Sequence, residues 1–256
     1  MLLPHDERGS GDAVVLLHAG VADRTEWRAH LEPLAAASRR VVAMDLPGFG
    51  DAPEPPGPQA PWRDVLETMD ALDIGRAALV GNSAGAGVAL RVAAVAPERV
   101  AALVLISARV PGAEPSPQLG AVWAAEEAGL QRGDVEAAVA AVVSAWTLPD
   151  APADVREQVA AMQRRAFATQ LATTDFTEAP DPVEDNPAIL SDLQIDALCI
   201  AGGRELPDFR DGAVTLAATL PRGRHAEIAS AGHLAPLETP RELRALLLDF
   251  LSDRNS

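Results

Sequence analysis

Gly81-Asn82-Ser83-Ala84-Gly85 constrains this chain more than any other stretch, because of what stands on either side of it. Ahead lies Ala77-Ala78-Leu79-Val80, a short apolar run suited to a buried parallel strand. Behind, Val88, Leu90, Val92 and Val95 continue as an Ala-rich helix that ends at Pro97. The pentapeptide fits the G-x-S-x-G pattern, and Ser83 falls on the turn from strand to helix. A serine there adopts a strained main chain that lifts Oγ clear of the sheet, while the flanking glycines keep side chains from colliding in so tight a bend. The same five residues also suit a glycine-rich helix entry with an N-terminal serine, so the rest of the chain has to decide.

Apolar strand-like runs recur at Ala13 to Leu17, Val41 to Met44, Ala77 to Val80, Ala101 to Ile106, Ala197 to Ala201 and His225 to Ala229. Helical patterns fill the gaps, around Trp27 to Ala37, Trp62 to Leu72, Ala84 to Ala96, Phe209 to Leu220 and Pro240 to Leu251. Alternation of this kind predicts βα units and a mainly parallel sheet covered by helices on both faces. Between Ile106 and Ala197 the chain is too long for one βα connection and carries helical spacing at Val122-Trp123, Val135 to Trp146 and Val155 to Leu171. Proline clusters at Pro111 to Pro117, Pro149 to Pro152 and Pro180 to Pro187 read as its turns.

Far downstream of Ser83, Ala231-Gly232-His233-Leu234 forms a Gly-His turn after the last strand-like run, and acidic residues stand between the two, after Ala201. The chain order is therefore Ser, acid, His. Add His18-Ala19-Gly20 after one strand and Asp45-Leu46-Pro47-Gly48-Phe49-Gly50 after the next, and the chain resembles the α/β-hydrolase superfamily of serine hydrolases, in its capped esterase and C–C hydrolase-like branch. The resemblance covers nearly the whole length. It implies an α/β-hydrolase core over residues 1–107 and 196–256, with a helical cap at 108–195 inserted after the strand ending near Ile106. The family usually begins with an antiparallel strand pair for which this chain has little room, so its first strand is expected to be absent.

The resemblance makes Ser83 the nucleophile and His233 the base that takes its proton. In the acid loop, Ala201-Gly202-Gly203-Arg204-Glu205-Leu206-Pro207-Asp208-Phe209, the family position usually held by Asp is held by Glu205; Asp208 is the alternative, with a second reading as a first-turn carboxylate of the following helix. The oxyanion hole is expected to use the N–H groups of Ala84 and Gly20, with Val21 in play because Ala19 replaces the usual glycine. His18 is expected to shape that loop, and Asp45 to belong to a structural one. Trp27, Asn82, Trp123, Trp146, Phe167 and Phe176 are candidates to face substrate, although aromatics at helical spacing more often pack.

Composition narrows the chemistry. The 256 residues, 48% hydrophobic, suffice for one large α/β domain. Formal net charge is −16, and every cationic residue is arginine. Without lysine there is no P-loop lysine and no Schiff-base lysine. So acidic a chain also repels nucleic acid and anionic membranes. Cys199, the single cysteine, lies in an apolar strand and reads as core. No histidine pair has metal-ligand spacing, and neither metal nor cofactor is expected. The N-terminus has no basic segment followed by a long apolar one, which points to a soluble cytoplasmic protein, a monomer or homodimer with a small-molecule substrate.

These readings lead to hydrolysis of a small, neutral or hydrophobic ester, thioester or lactone through an acyl-Ser83 intermediate, with perhydrolysis as a side reaction. Two others stay open. Gly81-Asn82-Ser83 also resembles the elbow of hydrolases that cleave C–C bonds in diones, and plant hormone receptors use the same fold to enclose a ligand without turnover.

Overall fold

The computed structural model describes residues 1–173 and 175–252, and of Phe176 the main chain alone. The first half holds β1 (His5–Arg8), β2 (Asp12–Leu17), α1 (Arg28–Ala36), β3 (Arg39–Met44), β4 (Gly57–Gln59), α2 (Pro61–Ala71), β5 (Ala77–Asn82), α3 (Ala84–Val95) and β6 (Val100–Ile106). An insert follows, with α4 (Pro117–Gln131), α5 (Val135–Trp146), α6 (Ala153–Gln170) and β7 (Phe176–Glu178). The chain closes with β8 (Ala197–Gly202), α7 (Pro207–Thr219), β9 (Gly223–Ile228), α8 (Ala235–Glu238) and α9 (Pro240–Ser252).

The apolar runs assemble into a seven-stranded sheet in the order β1-β3-β2-β5-β6-β8-β9. All pairings are parallel except that of β1 with β3. Side chains alternate across it as the pleat requires. Val14, Leu16, Val80 and Val104 pack toward α1 and α9, whereas Val15, Leu17, Leu79 and Leu105 pack toward α2, α3 and α7. Burial on both faces is why these strands read as unbroken apolar runs. Each such side chain contributes about 1.5–3 kcal/mol when taken from water. Cys199 lies in this core, its thiol pushed up to about 12 by burial.

One antiparallel strand, not a pair, precedes β2 among the described residues. Nothing in the sequence announced β1, because His5-Asp6-Glu7-Arg8 has no apolar side chain and sits at a sheet edge. Parallel pairing of β4 with β7 is a second unpredicted feature, joining Gly57 to Phe176 and Gln59 to Glu178.

Helices α4, α5 and α6 form a third apolar cluster through Leu119, Val139, Val142, Trp146, Val159 and Phe167. Ala19 and Ala22 after β2, Phe209 in α7 and Leu234 after β9 join it. The insert is therefore packed onto loops at the carboxyl ends of the strands, where open α/β sheets place their sites.

Candidate active site

Ser83 lies between β5 and α3 with φ 52° and ψ −113°, a left-handed conformation that costs a non-glycine residue about 1–3 kcal/mol. Its N–H donates to the Ile106 carbonyl at 2.8 Å, and its carbonyl accepts from Gly87 N–H at 3.1 Å. The surroundings over-determine the strain. A Cβ on Gly85 would lie 2.3 Å from the Leu17 carbonyl oxygen, and one on Gly81 would lie 2.3 Å from the Gly85 carbonyl carbon, so only glycine lets the elbow seat against β2.

His233 follows β9 and is 6% exposed. Its Nδ1 donates to Glu205 Oε2 at 3.1 Å, which leaves Nε2 with the lone pair; this tautomer follows from the hydrogen-bond network. Glu205, its side chain 1% exposed, is itself anchored, since Oε1 accepts from Gly202 N–H at 2.7 Å. The imidazole is further held by Phe209 and Trp146, with ring centroids 4.4 and 4.5 Å away. Asp208 lies elsewhere. It accepts from the Ser116 N–H at 2.8 Å and the Ser116 hydroxyl at 2.6 Å, at the starts of α7 and α4. Burial pushes its carboxyl up, but these hydrogen bonds outweigh it and hold the pKa below the usual value.

Ser83, His233, Gly20, Val21 and Ala84 share one cleft of about 760 Å³. A Cβ added to Gly20 would be 3.3 Å from that of Ala84, so the two expected N–H donors are neighbours. The Ala19 N–H points away from this role, because it donates to Glu26 Oε2 at 3.0 Å. His18 holds the loop from below: Nε2 accepts from Leu46 N–H at 2.9 Å, Nδ1 donates to the Ala19 carbonyl at 2.7 Å, and burial lowers its pKa and keeps it neutral. Asp45 is structural in its contacts, accepting from the main-chain N–H groups of Arg24 and Asp51.

Trp123 and Trp146 line the cleft, and Trp123, 41% exposed, lies under the Arg109 guanidinium at 5.4 Å. Three other candidates do not line the cleft. Trp27 packs into the core beneath α1 and Phe167 into the cluster of α4–α6, because a large apolar ring is drawn to either environment and sequence spacing does not separate them. Asn82 is 0% exposed and donates to Glu26 Oε1 at 2.8 Å, since alternation along β5 turns it away from the side on which Ser83 emerges. The side chain of Phe176 lies outside the described residues.

Several groups at the site escaped the sequence reading. Ser107, with φ 48°, donates to the His233 carbonyl at 3.2 Å. Glu238 accepts from Gly232 N–H at 2.9 Å and from Leu148 N–H at 2.7 Å, tying the histidine turn to the insert. Glu26 is the third. In sequence it is an unremarked acid after Asp23, whose side chain caps the short 3-10 turn Arg24–Trp27 by accepting from Thr25 N–H at 2.9 Å. Among the described residues, no three His, Cys, Asp or Glu side chains are grouped to hold a metal ion, and no helix is long and apolar enough to cross a membrane.

A parallel sheet with a strained serine elbow after β5 and a histidine turn after β9 defines a class, and comparison with known proteins agrees. The alpha/beta hydrolase family profile matches residues 14–246, and the chain belongs to that family. It is 32% identical over 252 residues to the dihydrolipoyllysine-residue acetyltransferase component of an acetoin cleaving system from Pseudomonas putida, covering 94% of this chain but 64% of that protein. It is 30% identical over 267 residues to 2-hydroxymuconate semialdehyde hydrolase from Pseudomonas sp. (strain CF600), covering 98% of this chain and 90% of the relative. A thermophilic esterase from Thermogutta terrifontis, studied with malate bound, shares the fold with a TM-score of 0.81 and 25% identity, over 99% of this chain and 94% of the other.

Proposed function

We propose that this hydrolase cleaves a small, neutral or hydrophobic ester, thioester or lactone through an acyl-Ser83 intermediate. One observation carries the reading: the His233 imidazole is fixed on Glu205 at 3.1 Å and borders the same cleft as Ser83. His233 Nε2 takes the Ser83 proton as Oγ attacks the carbonyl carbon. Glu205 holds the ring and stabilises the imidazolium. The Gly20 and Ala84 N–H groups receive the oxyanion of the tetrahedral intermediate. The imidazolium then protonates the leaving group, and water, activated by the same nitrogen, releases the acid.

Residues 108–195 act in this reading as a cap, with Trp123 and Trp146 as its contacts to substrate. Neutral substrates are favoured because Glu114 and Glu126 outnumber Arg109 on the cleft wall, Arg91 being already paired with Asp181 at 2.6 Å and Glu184 at 3.3 Å. The likeness to a named esterase supports ester cleavage. The relative named as a hydrolase of 2-hydroxymuconate semialdehyde supports a second reading, carbon–carbon cleavage of a dione at the same serine. Fluorophosphonate labelling tests the shared mechanism. Modification of Ser83, lost in Ser83→Ala, is expected; a panel of p-nitrophenyl esters against a dione then separates the two readings. Tight retention of a small molecule without turnover would turn both aside for a receptor.

A further inference from the structure

A buried carboxyl group lies behind the expected oxyanion hole and takes no part in the chemistry described so far. Glu26 is 0% exposed. Its Oε2 holds the Ala19 N–H at 3.0 Å and its Oε1 holds the Asn82 side-chain amide at 2.8 Å. Ala19 immediately precedes Gly20, and Asn82 immediately precedes Ser83 and Ala84. One side chain thus joins the two strand ends that carry the two N–H donors. Burial at this cost calls for a reason, since an apolar residue would fill the space without desolvating an acid. Asn82 commits its amide nitrogen to Glu26, and its Oδ1 is buried without a partner among the described residues.

Resting on the serine-hydrolase reading, we propose that Glu26 is a positioning residue of the oxyanion hole, bridging Ala19 to Asn82 so that the Gly20 and Ala84 N–H groups stay directed at one point. Because Ala19 N–H is taken by Glu26, the His18–Ala19 peptide cannot turn freely, and the next peptide, which carries the Gly20 N–H, is then held at its Ala19 carbonyl by His18, although glycine itself restrains the loop little. Donors of this kind act only if they are oriented before charge develops.

The charge on Glu26 matters too. Burial, with the like charge of Asp23, raises its pKa to about 8 against its own hydrogen bonds. Around it, Asp23 lies 3.6 Å from Arg165 of α6, His18 is held neutral, and Arg24 is committed to Asp45. A neutral carboxyl keeps the bridge, its carbonyl oxygen accepting from Ala19 and its hydroxyl donating to Asn82 Oδ1 after an amide turn. An ionised one keeps it as well but places a negative charge behind the developing oxyanion, so turnover falls as pH rises through about 8.

The test compares kcat and KM for p-nitrophenyl butyrate in the wild type, Glu26→Gln and Glu26→Met across the alkaline range, with folding checked by circular dichroism and thermal melts. Glutamine keeps both links without charge: kcat is expected within about threefold of wild type and its alkaline decline disappears. Methionine fills the space without links, and kcat is expected to fall about ten- to a hundredfold with KM little changed. A folded Glu26→Met with wild-type kcat overturns the proposal, as does Glu26→Gln as damaged as Glu26→Met. Should Glu26→Met not fold, Asn82→Ala cuts the bridge at its other end, and wild-type kcat there is equally fatal. Ser83→Ala, run beside them, separates the levels: an active Ser83→Ala refutes the serine-hydrolase reading itself, whereas an inert one beside an unaffected Glu26→Met refutes only the bridge.

Discussion

At the ends of β5, β8 and β9, the groups around Ser83 are fixed by main-chain contacts: glycines that admit no Cβ, a serine amide bound to Ile106, a carboxylate bound to its own loop at Gly202. Helices α4–α6 reach the same cleft mainly through apolar side chains that pack on one another and on loop residues such as Ala19 and Leu234, with Glu238 and Asp208 as polar ties at Leu148 and Ser116. Contacts of the first kind have one acceptable geometry. Those of the second tolerate substitution if volume is kept. A hydrolase so divided can hold its chemistry constant while the insert changes what the chemistry is applied to, and the two halves should respond differently to mutation.

The sharpest test of that division is Ser83→Ala. Loss of a serine nucleophile costs about a million-fold in the best-studied case, and the half-buried hydroxyl contributes little to packing, so ester hydrolysis should vanish while the melting temperature holds. Activity above about a tenth of wild type would remove Ser83 from the mechanism. Next in size is Glu205→Gln. The amide favours the wrong imidazole tautomer, and kcat should fall by about a thousand-fold or more, read with any ester the wild type accepts. Retention of kcat would place the orienting charge elsewhere.

The sequence made these residues visible because each lies in a local pattern with a backbone reason behind it, glycines about Ser83, a glycine before His233, a short loop after a buried strand for Glu205. The parallel strands were legible for a related reason, since burial on both faces leaves an unbroken apolar run. β1 left no such trace, its four residues being polar. Glu26 and Glu238 were hidden more deeply: each is an ordinary acid in its local sequence, and its importance comes from partners 56 positions away at Asn82 and 90 at Leu148. Trp27 misled for the converse reason, because its ring has the same sequence signature in a core as in a cleft.

On the insert, Trp123 is the informative position. Trp146 touches His233, so changing it would mix selectivity with chemistry, whereas Trp123 contacts Arg109 and stands 41% exposed at the cleft. Trp123→Ala should shift the ratio of kcat/KM between long and short acyl esters by about tenfold, the lower end of what one methylene is worth in an apolar pocket, since the ring is 41% exposed. Fluorophosphonate labelling of Ser83 should persist at close to the wild-type rate. A large loss of labelling in the folded variant would break the division, showing that the insert supplies part of the catalytic geometry.

The smallest effect expected is that of Asp208→Asn, and it bears on the comparison because Asp208 joins the two regions. Its carboxylate sits in the first turn of α7 and accepts two hydrogen bonds from Ser116 at the start of α4. Replacing it removes a helix-end charge and one acceptor, worth about 1 kcal/mol or less at this half-buried position, or roughly 2–4 °C in melting temperature for a chain of this size. The sign with pH follows from the lowered pKa: the native carboxylate is favoured above the unfolded value of 3.8, and that stabilisation is lost as pH falls through the lower native value. The melting-temperature gap between wild type and Asp208→Asn should therefore be open at neutral pH and close in strong acid, with kcat at neutral pH unaltered. A thousand-fold loss of kcat in Asp208→Asn, beside a mild Glu205→Gln, would move the orienting role to Asp208 and require the α7 entry to rearrange toward His233 during turnover.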